Sequence, residues 1–280
     1  RVPVRLHTVA GLPLMEASGL KRVTLNFVEK LTYKCSTNIY PNSFGLKNII
    51  LENRFTTEDK LKVIGIGSSN GIDTSYFDPE LFSLNERNKL KSELGIEGNV
   101  FVFIFVGRLV ADKGINELVE AFVELCIVVK GIKLLLVGPF EDELDPLSDK
   151  TNQLISNHDK IILVGYQNDV RPFFAISNSL VFPSYREGFP NVVMQAGAMG
   201  LPGIVSDING CNEIIHHDYN GIVVPSKDVE SLRRAMSRIF QDKEFYLKCS
   251  ARSRLAIVNN YEQKLYWKSL LNEYESVLNI

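Results

Sequence analysis

A chain of 280 residues, 45% hydrophobic and 23% charged, has the composition of a folded globular protein and the length for two domains or one large one. A net charge of -2 leaves no basic domain or stripe, which argues against a general nucleic-acid binder and requires any anionic ligand to be met by local groups. The longest apolar run, Val100 to Val106, is too short to span a bilayer, and the first residues lack the apolar core of a signal peptide.

Taken in chain order, Val2 to Val9 reads as a strand, and a chain that enters a strand without a methionine or lead-in reads as a fragment. From Leu20 to Thr37 the apolar Val23, Leu25, Phe27, Leu31 and Cys35 interleave with Lys21, Arg22, Glu29, Lys30 and Lys34, the pattern of an amphipathic helix. Asn38 to Tyr40 is a short buried strand. Ser43 suits the cap of a helix carrying Leu46, Ile49, Ile50 and Leu51, and Leu61 to Ile64 reads as another strand. Three strands and two helices make half of a doubly wound sheet, so this first unit reads as incomplete. Gly65 to Gly71 follows a strand as a dinucleotide fingerprint does, but its glycine spacing is off and no apolar helix follows; it reads as a connector. Pro79 and a short charged helix around Glu86 to Leu94 then form a hinge into the next unit.

Beyond residue 99 strands are expected at 100–106, 134–137, 161–164, 180–182, 203–206 and 221–224. Helices are expected near 115–129, 145–157, 169–177, 190–199 and 211–216, and from 228 onward. Six apolar strands alternating with helices predict an α/β fold with a complete, doubly wound parallel sheet in the order 3-2-1-4-5-6. Ligands bind such a sheet in the crevice between the carboxyl ends of its first and fourth strands. The first strand leads into Gly107, Arg108, Lys113 and Gly114. The fourth, closed by Pro183, leads into Ser184 to Gly188 and a helix starting near Pro190.

Arg108, Lys113, Glu187 and a helix amino terminus therefore converge. A permanent guanidinium charge, an ammonium and a helix dipole suit a nucleotide diphosphate, and Gly107 and Gly188 let backbone N–H groups approach phosphate oxygens. Taken singly, Arg108 and Lys113 read as solvated loop charges; it is their placement on adjacent strand ends that makes a site. Cys35, Cys126, Cys211 and Cys249 lie far apart without a C-x-x-C pair, which reads as free thiols in a reducing, cytoplasmic compartment; peripheral membrane association is compatible with this composition.

Gly107-Arg108 with Lys113-Gly114, Glu187-Gly188-Phe189-Pro190-Asn191, Gly200-Leu201-Pro202, Ser206-Asp207 with Gly210 and Glu213, and Asn220-Gly221 together resemble the carboxyl-terminal domain of retaining glycosyltransferases of the GT-B fold, family 4. The likeness covers residues 99 to about 240. Gly11-Leu12-Pro13 and Ser68 to Asp73 are similar to the second half of the family's amino-terminal domain and its interdomain link. The resemblance implies a GT-B division: residues 1–78 as a partial acceptor-side Rossmann-like domain with the link, 79–260 as the nucleotide-sugar domain, and 261–280 as a helix crossing back.

By the same resemblance Arg108 and Lys113 hold the donor diphosphate and neutralise the leaving group. Glu187, the first acid of the family's E-x7-E motif, bonds donor-sugar hydroxyls and steadies an oxocarbenium-like centre. Gly188, Phe189 and Asn191 supply N–H groups to sugar and phosphate from the turn that Pro190, itself without an N–H, completes. Two departures stand out. Gln195 occupies the position of the motif's second acid, which contacts the nucleotide ribose, and an amide binds hydroxyls with less charge assistance. Ala10 aligns where many relatives carry a histidine, and nearby His7 reads as an ordinary strand residue.

No Asp-x-Asp pair occurs, so neither a metal nor another cofactor is expected, and Glu141 to Asp145 reads as a solvated loop. His158 and the His216-His217 pair lack metal-ligand spacing and read as helix-end surface residues. Trp267 and Tyr274 read as packing residues of the last helix, and Tyr166 as a backbone contact to the base. The activity implied is retaining transfer from a UDP- or GDP-sugar to a glycan or lipid-linked acceptor in capsule or lipopolysaccharide assembly, with no nucleic-acid partner. A nucleotide-sugar epimerase or phosphorylase of the same fold, and a truncated, binding-only or inactive fragment, are the alternatives.

Overall fold

The computed structural model describes residues 2–12, 14, 17–141, 143 and 145–278, and its strands form two parallel sheets. The smaller sheet pairs β1 (Leu6–Val9) with β2 (Asn38–Pro41), Val9 lying opposite Pro41. Helix α1 (Gly19–Cys35) makes the crossover and α2 (Phe44–Glu52) follows β2. Ser43 caps α2 as expected, its Oγ accepting from the Leu46 N–H at 3.0 Å. Leu14, Tyr33, Ile39, Leu46, Ile50 and Phe55 form a core separate from that of the larger sheet.

One expectation fails in this unit and one helix, present as expected, is packed on less of its apolar face than its pattern offers. Residues Leu61 to Ile64 make no strand: Leu61 forms a single bridge to Ile39, and the chain then enters turns in which Gly65, Gly67, Ser68 and Gly71 take positive φ. In α1 the helical periodicity holds, but Tyr33 is its one buried residue, and Leu20, Val23, Phe27 and Leu31 face solvent. Two strands offer too narrow a floor to cover that stripe. Residues Pro13, Asp142 and Leu144, which belong to the Gly11–Pro13 and Glu141–Asp145 readings, lie outside the described residues.

The larger sheet contains β3 (Phe101–Val106), β4 (Ile132–Val137), β5 (Ile161–Gly165), β6 (Ser179–Phe182), β7 (Gly203–Ser206) and β8 (Gly221–Val224). Its spatial order is β5-β4-β3-β6-β7-β8, the 3-2-1-4-5-6 arrangement. Val102 to Phe105 and Leu134 to Leu136 are wholly buried because helices cover both faces, which is why these strands are continuously apolar in sequence. Phe105 stacks on Phe182 across β3 and β6 with ring centroids 5.7 Å apart. The covering helices are α4 (Ile115–Val128), α5 (Asp149–Asn157), α6 (Arg171–Ala175), α7 (Asn191–Ala198), α8 (Cys211–Ile214), α9 (Val229–Gln241) and α10 (Lys243–Tyr261). Upstream, the charged helix α3 (Leu84–Glu93) opens with a Ser83–Glu86 capping box.

Two chain segments join the sheets and lie side by side. The Ile72 N–H donates to the Tyr261 carbonyl at 2.8 Å and the Gln263 N–H to the Ile72 carbonyl at 3.0 Å. Arg254 braces this crossing from α10, donating to the Thr74 and Phe77 carbonyls at 3.1 and 2.8 Å and pairing with Asp78. The last helix, Gln263–Leu278, returns to the small sheet, where buried Glu273 accepts from the Tyr40 hydroxyl at 3.1 Å and pairs with Lys62. Trp267 is half exposed, its indole N–H donating to Asn70 Oδ1 at 2.8 Å, and Tyr274 is exposed as well, so neither is a packing residue of the kind the sequence suggests. Among the described residues no helix is long and apolar enough to cross a membrane.

Candidate active site

Because β3 and β6 are neighbours, with Phe103 opposite Ser179 and Ile104 opposite Leu180, the loops leaving their carboxyl ends must meet. After β3, Ala111 to Lys113 form a short 3-10 turn that ends on Gly114 at φ 71. A Cβ on Gly114 would overlap the Pro183 carbonyl, so glycine there lets the β3 loop nest on the end of β6. This contact brings Lys113 against the turn that carries Glu187.

Lys113 Nζ and Glu187 Oε1 form a hydrogen-bonded ion pair in which the side chains are 16% and 15% exposed. Ser184 Oγ donates to the same carboxylate oxygen at 2.8 Å, and Asn209 Nδ2 donates to the Glu187 and Gly188 carbonyls. Arg108 pairs with Glu141 at 2.7 Å, and that hydrogen bond raises the guanidinium's pKa further. Arg186 pairs with Asp112 at 3.1 Å. Each of these three cations therefore holds a carboxylate that any anionic ligand would have to displace or outbid. The Tyr185 hydroxyl donates to Glu117 at 2.7 Å; burial first, then that carboxylate, raises the phenol's pKa. Cys211, wholly buried behind the turn, is a thiol whose pKa burial and then Glu187 push upward.

Lys113, Glu187, Arg108, Arg186 and Asp112 open onto a cleft of about 430 Å³. Arg108, Asp112, Lys113, Tyr185 to Gly188, Ile208 and Asn209 line it from the larger unit, and Ala10, Gly11, Leu12 and Leu46 face them from the smaller one. Of the residues singled out in sequence, Arg108, Lys113, Glu187 and Gly188 thus share one cleft. Ala10, Gly11 and Leu12 face them, whereas the remaining donor-side candidates stand back from its walls. Gly107 lies at the strand end; buried Phe189 packs 5.5 Å from the Tyr261 ring; Pro190 is the N-cap and Asn191 the first residue of α7; half-buried Gln195 lies one turn on.

The reading of the acidic stretch as a solvated loop is corrected at both described ends. Glu141 holds Arg108, and the Asp145 carbonyl accepts from the Ala111 N–H at 3.1 Å, because the β4 loop runs beside the β3 loop. Tyr166 is strongly exposed, and His158 packs edge-on against Phe122. Sequence reasoning also missed Asp112, Arg186 and Asn209; the first two immediately precede Lys113 and Glu187, so proximity alone could have flagged them.

The family model for glycosyl transferases group 1 matches residues 86–256, the span that contains both strand ends and every cation of the cleft. The chain belongs to this family. Among curated relatives, it is 30% identical over 279 residues to the capsular polysaccharide biosynthesis glycosyltransferase CapM of Staphylococcus aureus, covering 99% of this chain and 71% of that one. It is 29% identical to the UDP-Gal:alpha-D-GlcNAc-diphosphoundecaprenol alpha-1,3-galactosyltransferase of Escherichia coli, covering 93% of this chain and 66% of that one. The fold matches that of a Rickettsia africae glycosyltransferase with a TM-score of 0.82 at 23% identity, over 98% of this chain and 70% of that one. It also matches HepE of Anabaena, solved with UDP and glucose, with a TM-score of 0.83 at 17% identity over 97% and 71%. The architecture is that of GT-B glycosyltransferases.

Proposed function

We propose that this group 1 glycosyltransferase is a retaining enzyme that moves a sugar from a UDP- or GDP-sugar to a glycan or lipid-linked acceptor during surface polysaccharide assembly, without a metal ion. The observation that carries the reading is the Lys113–Glu187 pair facing Arg108 in one cleft, where a carboxylate and two cations lie within a sugar diphosphate's reach. The donor diphosphate takes Arg108 from Glu141. Arg108 and Lys113 then neutralise the charge that grows on the leaving oxygen as the glycosidic bond breaks, a role a metal fills elsewhere. Glu187, steadied by Ser184, accepts from the sugar hydroxyls and stabilises positive charge at the anomeric carbon.

The Gly188–Asn191 turn offers the N–H groups of its non-proline residues to phosphate and sugar, and Gln195 meets the nucleotide ribose from α7; the N–H of Gly107 is instead held by the Val137 carbonyl at 2.9 Å, so that glycine contributes only an open approach. Residues 1–78, 79–260 and 261–280 act as acceptor-side unit with the link, donor unit and returning helix; a separate core within residues 9–61 supports the first of these, while Ile72 of the link and Tyr261 pack into the larger core. The names of the two curated relatives support the class of reaction. One is a capsular glycosyltransferase; the other takes UDP-Gal and a diphosphoundecaprenol-linked sugar. An acceptor of that kind favours work at the cytoplasmic face of a membrane with peripheral contact.

Calorimetry with UDP, GDP and their nucleosides tests the assignment. Arg108→Ala should weaken the bound nucleoside diphosphate about tenfold or more while leaving the nucleoside nearly unchanged, and equal losses would contradict the phosphate role. Glu187→Gln should cut transfer by about 10²–10³-fold in a folded protein. Retention is checked by the anomeric configuration of the product.

A further inference from the structure

We propose that Glu213 is an interdomain latch: a positioning residue, touching neither donor nor acceptor, that holds the small unit against the donor unit and so sets the placement of Glu187. The proposal rests on the reading of the cleft as the donor site. The first N–H groups of a helix have no intrahelical partner. At the start of α2, Ser43 takes the Leu46 N–H, which leaves Phe44 and Gly45 to be satisfied from outside the helix. Glu213 reaches across from α8 and accepts both, Oε2 from Phe44 at 2.8 Å and Oε1 from Gly45 at 3.0 Å, across 169 and 168 residues of sequence. Its Oε1 also accepts from Gly210 at 3.3 Å on its own side. These are charge-assisted bonds at the positive end of a helix dipole, and they exist only when the units are together.

Two glycines give independent support. Gly45 lies inside α2, where alanine would be the better helix former, and neither it nor Gly188 has the positive φ that calls for glycine. What excludes a side chain at each is the opposite unit. A Cβ on Gly45 would overlap the Asn209 Cβ, and one on Gly188 would overlap the Ala10 carbonyl. Asn209 also donates to the Glu187 and Gly188 carbonyls. The α2 terminus, the 209–213 segment and the Glu187–Gly188 peptide thus form one continuous contact, and docking of the small unit bears directly on the backbone that presents Glu187.

Residue-resolved amide exchange on the full chain tests the latch without needing activity. In Glu213→Ala the Phe44 and Gly45 amides should exchange about tenfold faster, while Leu46, held by Ser43, stays within about twofold of wild type. Gly45→Ala keeps the carboxylate and favours the helix, yet should also release the Phe44 amide and enlarge the radius of gyration in solution scattering. Both variants should bind the nucleoside diphosphate chosen by the wild type within about threefold, while kcat falls about a hundredfold. Glu213→Gln, retaining one acceptor oxygen, should recover part of the protection and of kcat. Unchanged protection at Phe44 and Gly45, an unchanged radius in Gly45→Ala, or an unchanged kcat would overturn the latch. A wild-type chain that binds neither UDP nor GDP would overturn the donor reading instead, leaving exchange and scattering to decide the latch.

Discussion

The six-stranded sheet buries Phe103, Ile104 and Phe105 completely between two layers of helices, whereas the two-stranded sheet leaves Val23, Phe27 and Leu31 of its crossover helix exposed. Both are built of parallel strands and helices, but only the larger has enough strands to fill both faces. The smaller one keeps a core of modest size and is tied to its neighbour by directional polar contacts: Glu213 on the α2 terminus, Glu273 on Tyr40 and Lys62, and the Ile72–Glu262 crossing. One unit is thus held mainly by its own core and the other partly by its neighbour. The cleft lies where the two meet, so its geometry depends on the weaker partner's attachment.

This contrast can be broken by experiment. Phe105→Ala removes a buried ring from the centre of the larger sheet and should cost about 3–5 kcal/mol in chemical denaturation; a loss below about 1 kcal/mol would mean that this core does not carry the unit. Ser43→Ala deletes the side-chain cap at the start of α2 and should cost about 1 kcal/mol. Phe27→Ser, on the open face of α1, should change stability by no more than about 0.5 kcal/mol, and a larger loss would show that the face is covered in solution.

The thiols sharpen the same comparison at the smallest scale. Burial disfavours the thiolate, so Cys126 is pushed up to about 11, and Cys211 and Cys249 are raised as well. At about pH 8 exposed Cys35 in the small unit should react with a disulfide reagent, while the three cysteines of the larger unit stay protonated and react slowly until it unfolds.

Much of the larger unit was legible in sequence because its strands are short, continuously apolar and separated by helices, a pattern with few alternative folds. The sheet order placed the β3 and β6 loops together, and from there Arg108, Lys113, Glu187 and Gly188 followed. The small unit was less legible. Leu61 to Ile64 has the composition of a strand, but pairing needs a neighbour in register, and glycine turns carry the chain away after one bridge. In α1 the apolar period indicates a helix without saying what the stripe packs against.

Sequence alone therefore determined the strands and helices of the larger unit, the cap at Ser43 and the type of charge in the cleft, and the alternation of strands and helices indicated the order of the larger sheet. Partners distant in sequence were decided only by tertiary structure. That Arg108 rests on Glu141, that Glu213 caps a helix 168 residues away and that Gly45 and Gly188 must lack a side chain are facts about surfaces brought together. A hydrogen bond depends on distances of a few tenths of an ångström, and sequence spacing carries no such information once the partners lie on separate elements.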